Sequence, residues 1–277
     1  MSDPLQPPVA ALLDAWAARV TADHEQVERC REVADPADFY APVVNRFRVD
    51  PRRTDDDVLN VLLGLARSEE IWLDIGAGGG RYALPLALRV AEVAAIEPSP
   101  SMLATLAEDA AAAGISNVFT YGARWPMADP PYGEVALMAH VGYDIRDIGP
   151  FLNNAESGRR LCVAVMGEAA MTTVATLFWL EIHGEPRVRL PAMPELLTLL
   201  LARGRLPSLT WVDRAPPGFE SVDDALAMAR RQLWLREGSP KDQRLRDLAG
   251  ERLIERGGRF TFDDETSQIG IAYWEPR

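Results

Sequence analysis

Asp74, Gly76, Gly78 and Gly80 stand at alternate positions, and Glu97 follows Gly76 by twenty-one residues. These types at this spacing suit a nucleotide-like ligand. Glycines without Cβ atoms let a turn take positive φ and let a ligand approach the backbone. An acid at the tip of a second strand can accept hydrogen bonds from both ribose hydroxyls of an adenosine. Two spacings compete. The dinucleotide pattern G-x-G-x-x-G is met at Gly76 and Gly78 but finds Arg81 where its third glycine belongs, whereas acid-x-G-x-G-x-G is matched in full. The elements that must hold these residues are legible around them. The apolar run Ile71–Ile75 predicts a strand, Arg81 to Val90 a helix, and Ala91 to Ile96 a second strand closed by Glu97. Strand, glycine turn and helix form the first unit of an open α/β sheet, with its ligand over the strand's carboxyl end.

The stretch LDIGAGGGRYALPLA followed by AAIEPSPSML resembles motifs one and two of the class I S-adenosylmethionine-dependent methyltransferases. The resemblance is strong from Ile71 to Leu103, fair as far as Leu152, and topological beyond. It implies an α/β, Rossmann-like fold: a seven-stranded, mostly parallel sheet with helices on both faces and the last strand antiparallel. It also implies S-adenosylmethionine as cofactor. Asp74, Gly76, Ala77, Gly78 and Gly80 would lie beside its methionine part, Glu97 and Pro98 at its ribose, and Met102 against its adenine. The acid that often meets the adenine amine after the third strand is missing. Backbone at Ala123 and Arg124, or the ring of Trp125, is expected in its place. Tyr40, from the leading segment, is expected to fold over the cofactor or to pack in the core.

His140 ends the expected fourth strand, Glu134 to Ala139, next to the sulfonium in such a fold. With an unperturbed pKa of ~6.5 it is a candidate general base, or else it only bounds the cofactor pocket. Tyr143, Trp179, His183 and Arg187 are candidates for the acceptor pocket, although a tryptophan on a helical apolar face, as Trp179 is, more often belongs to a core. Asp129-Pro130-Pro131-Tyr132 matches a signature of amino-methyltransferases that act on DNA adenine or glutamine. There it follows the fourth strand; here it precedes EVALMA, and parallel strands need a crossover between them, so it reads as a proline turn.

The remaining pattern predicts helices over 9–33, 54–66, 99–113, 147–155, 171–182, 194–202, 220–237 and 241–255, and strands over 117–121, 160–166, 208–212 and 268–274. Residues 1–66 would be N-terminal helices forming part of a lid. Residues 67–277 would be the binding domain, with a helical insertion at about 215–257. A net charge of −12, with Lys241 the only lysine, argues against nucleic-acid partners, which need a basic surface. No apolar run is long enough for a membrane span, and the acidic start lacks a secretory signal. Cys30 and Cys162 read as reduced thiols, and the three histidines have no metal-site spacing. The expectation is a cytoplasmic enzyme that methylates a small molecule, its oligomeric state open and a homodimer included. The alternatives are a non-catalytic protein that binds S-adenosylmethionine or a partner and, less favoured, a NAD(P)-dependent oxidoreductase.

Overall fold

The computed structural model describes residues 8–170, 173–216, 218–262 and 266–276. The helices are α1 (Val9–Cys30), α2 (Asp57–Leu65), α3 (Ala83–Ala87), α4 (Pro100–Ala113), α5 (Ile148–Glu156), α6 (Thr173–His183), α7 (Met193–Ala202), α8 (Val222–Gln232) and α9 (Pro240–Arg252). A 3-10 segment covers Ala41–Phe47. The strands are β1 (Ile71–Ile75), β2 (Glu92–Ile96), β3 (Val118–Tyr121), β4 (Val135–Ala139), β5 (Leu161–Gly167), β6 (Ser208–Arg214), β7 (Ile254–Arg256), β8 (Arg259–Thr261) and β9 (Ser267–Trp274).

Seven strands form one sheet in the order β3-β2-β1-β4-β5-β9-β6. β1 to β5 pair in parallel, and β9 enters antiparallel to both β5 and β6. This is the Rossmann-like arrangement expected of the sequence. Strict alternation assigns each strand's side chains to two layers. Leu73, Ala136, Met138, Cys162 and Ala164 pack with α1, α5 and α7 through Trp16, Phe151 and Leu196. Trp72, Val135, Leu137, Val163 and Val165 pack with α2, α3 and α4 through Leu59, Leu84 and Leu106. Asp74, one residue beyond Leu73, therefore turns to the α3 side.

Helix ends follow local chemistry. Ser99 caps α4 by accepting from the Met102 amide, Pro100 sits in the first turn, and Gly114 closes it left-handed. The helix expected from Arg81 to Val90 is shorter: α3 ends at Ala87, and the chain drops back to the sheet where Ala91 and Glu92 bond the Glu70 carbonyl. Another element went unread. The helix expected to run to Glu255 stops at Arg252, and β7 and β8 form a hairpin about Gly257-Gly258, both at positive φ. A two-glycine turn between short strands is a hairpin signal. Met171, the expected start of α6, lies outside the described residues. With α8, α9 and the hairpin, α6 builds a third core around Phe178, Trp179, Phe219, Leu233 and Leu245.

Candidate functional site

A cleft of about 720 Å³ opens along the carboxyl ends of the strands. Its inner wall is the loop between β1 and α3, and three of the four glycines of that loop, Gly76, Gly78 and Gly80, have different tasks. At Gly76 a Cβ would press on Val141 at 3.2 Å, and at Gly80 it would strike Leu84 at 2.9 Å. Those two serve packing. Gly78, at φ 54°, lines the cleft, and a Cβ there would meet no atom within 4 Å. Its amide donates to Glu97 Oε2 at 2.9 Å, while the Ser99 amide donates to Oε1 at 2.8 Å. Each carboxylate oxygen keeps a second lone pair for a ligand. Burial raises the Glu97 pKa despite these bonds.

Asp74 is 1% exposed, and its Oδ1 has no hydrogen-bond partner among the described residues. Burial first, then the neighbouring Glu97, pushes its carboxyl up to about 7, against one backbone bond from Ala83. A buried carboxyl with a spare oxygen is poised to receive a cation.

A strap covers the cleft. Asp38 accepts from Ser99 Oγ at 2.9 Å, the Ser101 amide at 3.0 Å and the Tyr40 amide at 3.1 Å. Tyr40 and Phe47, with ring centres 5.6 Å apart, both line the cleft, as does Met102. Phe39 reaches the other way, to Trp234 at 5.6 Å and beneath the Arg231 guanidinium at 3.7 Å. The strap thus joins the β2–α4 loop to the third core.

His140 lines the cleft from the end of β4, with φ 57° and an unpartnered, buried Nδ1. A left-handed non-glycine residue is costly and is kept where the surroundings enforce it. Burial, then Arg214 and Arg81, lowers its pKa to about 4. The ring is therefore less basic than an unperturbed imidazole and is neutral at pH 7.

Other expected residues lie elsewhere. Among the described residues Ala123, Arg124, Trp125 and Pro98 do not line the cleft; Trp125 is buried in the core, its Nε1 donating to the Phe151 carbonyl at 3.1 Å. Tyr143 is buried too: its hydroxyl accepts from the Gly167 amide at 2.7 Å, and burial takes its pKa to about 12. Trp179, His183 and Arg187 form a separate stack in and beside the third core. Trp179 is 0% exposed, the Arg187 guanidinium lies 4.2 Å from its ring centre, and His183 lies on it at 4.2 Å. Arg187 is paired with Asp23, and His183 lies between Lys241 Nζ and the Leu233 carbonyl. Trp179 is thus a core residue, as its helical apolar face favoured. Asp129–Tyr132 precedes β4, with a bend at Asp129 and irregular chain after it.

The cleft has lining that sequence reasoning missed: Arg53, Asp56, Arg81, Tyr82 and Arg214 at its outer end. Arg81 was in view, adjoining the glycine run, but counted only as an absent glycine. Arg214 arrives through the pairing of β6 with β9, which no local pattern announces.

Residues 73–153 match a family model described as a methyltransferase domain. That segment, under a third of the chain, holds the glycine loop, Glu97 and His140 and is similar to methyltransferase domains. An uncharacterized protein of Haemophilus influenzae is 26% identical over 170 residues, which cover 58% of this chain and 61% of that one. The 23S rRNA (uracil(1939)-C(5))-methyltransferase RlmD of Chromohalobacter salexigens is 39% identical over 82 residues, 24% of this chain and 17% of its own. The chain thus spans less than two thirds of either relative. A solved protein of Bacillus halodurans C-125 superposes with a TM-score of 0.56 at 16% identity, over 80% of this chain and 99% of its own; that likeness is one of fold.

S-adenosylmethionine is the cofactor of this methyltransferase class, and the residues present fit it. The orphaned Asp74 Oδ1 suits the α-ammonium, and the open space at Gly78 admits a ligand against the backbone. The second lone pairs of Glu97 suit the ribose hydroxyls. When bound, the cofactor supplies an electrophilic methyl group on a sulfonium.

Proposed function

We propose that this methyltransferase domain transfers the methyl group to a small molecule bound in the outer part of the cleft. In this reading Asp74, the loop at Gly76–Gly79 and Glu97 hold the cofactor, and Met102, Tyr40 and Phe47 enclose it. The observation that carries the reading is that one cleft is lined by Gly78 and Glu97, by His140, by Arg81 and Arg214, and by Tyr40 and Phe47 of the strap. Its volume suits a small-molecule pocket, typically ~300–1,000 Å³. Methyl transfer is an in-line displacement, so positioning supplies much of the rate. His140, neutral at pH 7, accepts a hydrogen bond from the acceptor's X–H and orients it; a group with pKa about 4 removes protons poorly. In this reading the strap excludes water from the reacting groups.

The test is transfer of labelled methyl from S-adenosylmethionine to a mixture of cell metabolites and, separately, to total RNA. Label in low-mass products supports the proposal, and label in RNA alone overturns it. The RNA reading is motivated by the RlmD relative. A net charge of −12 with one lysine weighs against it, because phosphate contacts supply most of the affinity for nucleic acid. Tight cofactor binding with no transfer to either pool would favour the non-catalytic alternative.

A further inference from the structure

The chain that carries His140 leaves β4 as a hook, residues 140–145, and the hook is held from several sides. The His140 amide donates to the Val165 carbonyl at 2.8 Å, just beyond Ala139, the last residue of β4 paired with β5. Val141 packs against Gly76 of the glycine loop. At the far end Trp16 Nε1 donates to the Ile145 carbonyl at 2.9 Å. One more anchor follows from strand geometry. The backbone groups of alternate residues in a strand point to the same side. Gly167, two residues beyond Val165, therefore aims its amide at the side that β4 occupies, where β4 has already ended. A buried amide without a partner is costly. The Tyr143 hydroxyl takes that place, accepting from the Gly167 amide at 2.7 Å, so a side chain adds the next rung to the ladder. Between the Val165 and Gly167 rungs the chain turns left-handed twice, at His140 with φ 57° and at Gly142 with φ 106°. Glycine takes that conformation freely, whereas histidine has to be held in it.

We propose that Tyr143 is a positioning residue for methyl transfer: its hydroxyl, fastened to the Gly167 amide, fixes the hook and thereby the direction in which the His140 ring meets the acceptor. The inference rests on the methyltransferase reading, in which His140 orients the acceptor's X–H. In-line transfer is sensitive to small misplacements, and a side chain that touches the reacting groups needs others to lock it. Tyr143 is suited to that task and not to contact with the acceptor. It is 8% exposed and does not line the cleft, yet its hydroxyl is within electrostatic reach of Arg214 and Tyr82, which do. The bond from Trp16 serves a different purpose, since it ties the end of the hook to α1.

The experiment uses the full chain and follows its three imidazoles by heteronuclear NMR, with His140 identified by the signal lost in His140→Gln. Tyr143→Phe keeps the ring and removes the hydroxyl. Without ligand, it is expected to shift the His140 ring signals and to raise the His140 pKa from about 4 toward the unperturbed ~6.5. His24 and His183 should stay in place. The charges that act on the ring, Arg214, Arg81 and Asp56, are all retained in the variant, so a shift reports the ring's placement. Trp16→Phe, which frees the far end of the hook, should lower the melting temperature without moving His140. A merely structural Tyr143 would do the same, so an unmoved His140 in folded Tyr143→Phe overturns the proposal. An equal shift in Trp16→Phe also overturns it. If Tyr143→Phe does not fold, hydrogen exchange in the parent carries the test. S-adenosylhomocysteine, by engaging His140, should slow exchange of the Gly167 amide severalfold, and an unchanged rate overturns the proposal. The reading beneath is checked separately. No movement of the His140 signals when S-adenosylhomocysteine is added to the parent would overturn the methyltransferase reading, and the positioning role with it.

Discussion

At the scale of single residues, Asp74 makes the sharpest statement. Its pKa of about 7 in the fold lies above the 3.8 of an ordinary aspartate. The fold therefore binds this proton more tightly than the unfolded chain does, and favours folding through it at acid pH. That contribution is complete below about pH 4 and is lost as pH rises through about 7. A cationic ligand beside Asp74 reverses the preference, so binding must expel the proton. Affinity for S-adenosylhomocysteine should rise by up to about tenfold per pH unit from pH 5 to 7 and then level off. Calorimetry in buffers of different ionisation enthalpy should register the released proton, and Asp74→Asn should flatten the profile. A parent profile already flat would remove Asp74 from the site. His140 calls for the opposite result. His140→Gln, which keeps a neutral acceptor, should lower kcat by less than about tenfold, against the 10²–10⁴ of a true general base. At saturating cofactor, the pH profile of kcat should show no limb near 6.5 that disappears in the variant.

Among the elements, the strap is the part whose removal is most informative. Burial alone would raise the Asp38 pKa, yet bonds from Ser101, Ser99 and Tyr40 outweigh it and bring the carboxyl down to about 2. Asp38→Ala should leave the sheet intact, speed release of S-adenosylhomocysteine and increase hydrogen exchange at 38–47. An unchanged release rate would mean that the strap is cover without being a gate. The strap also marks where sequence reading stops. The parallel strands and the glycine turn were legible because their signals are local: Ile71–Ile75 and Gly76–Gly80 are contiguous, and Ser99 and Gly114 mark the ends of α4 by residue type alone. The outer end of the cleft was not, because Arg53, Arg81 and Arg214 are brought together by α2 packing on the sheet and by β6 pairing with β9. Trp179, His183 and Arg187, stacked away from the cleft, show a related limit. Helical spacing says which residues share a face, and says nothing of whether that face meets a ligand or another helix.

For the whole molecule, the insertion is structural before it is anything else. Helices α8 and α9 cover Phe178 and Trp179, both 0% exposed. Cutting out residues 220–255 would uncover two aromatic side chains, each worth about 1.5–3 kcal/mol or more of burial. The deletion is expected to be insoluble or strongly destabilised in thermal unfolding, and a soluble, cofactor-binding product would make the insertion an independent lid. Charge operates at the same scale. With a net charge of −12, binding to RNA at ~150 mM salt should be undetectable in a filter or mobility assay, and should not grow steeply on dilution of the salt. Strong, salt-sensitive binding would revive an RNA acceptor.

The contact between Phe39 and Trp234 supplies an optical handle. Of the seven tryptophans, Trp16, Trp72, Trp125, Trp179 and Trp274 are buried, and Trp211 lies on outermost β6. Among the described residues, Trp234 is the one tryptophan in ring contact with the strap. Its emission should therefore change when a ligand draws the strap inward, while the buried indoles form a constant background. The difference spectrum between the parent and Trp234→Phe would isolate that signal, and stopped-flow mixing with S-adenosylhomocysteine would time the movement without a label or a known acceptor.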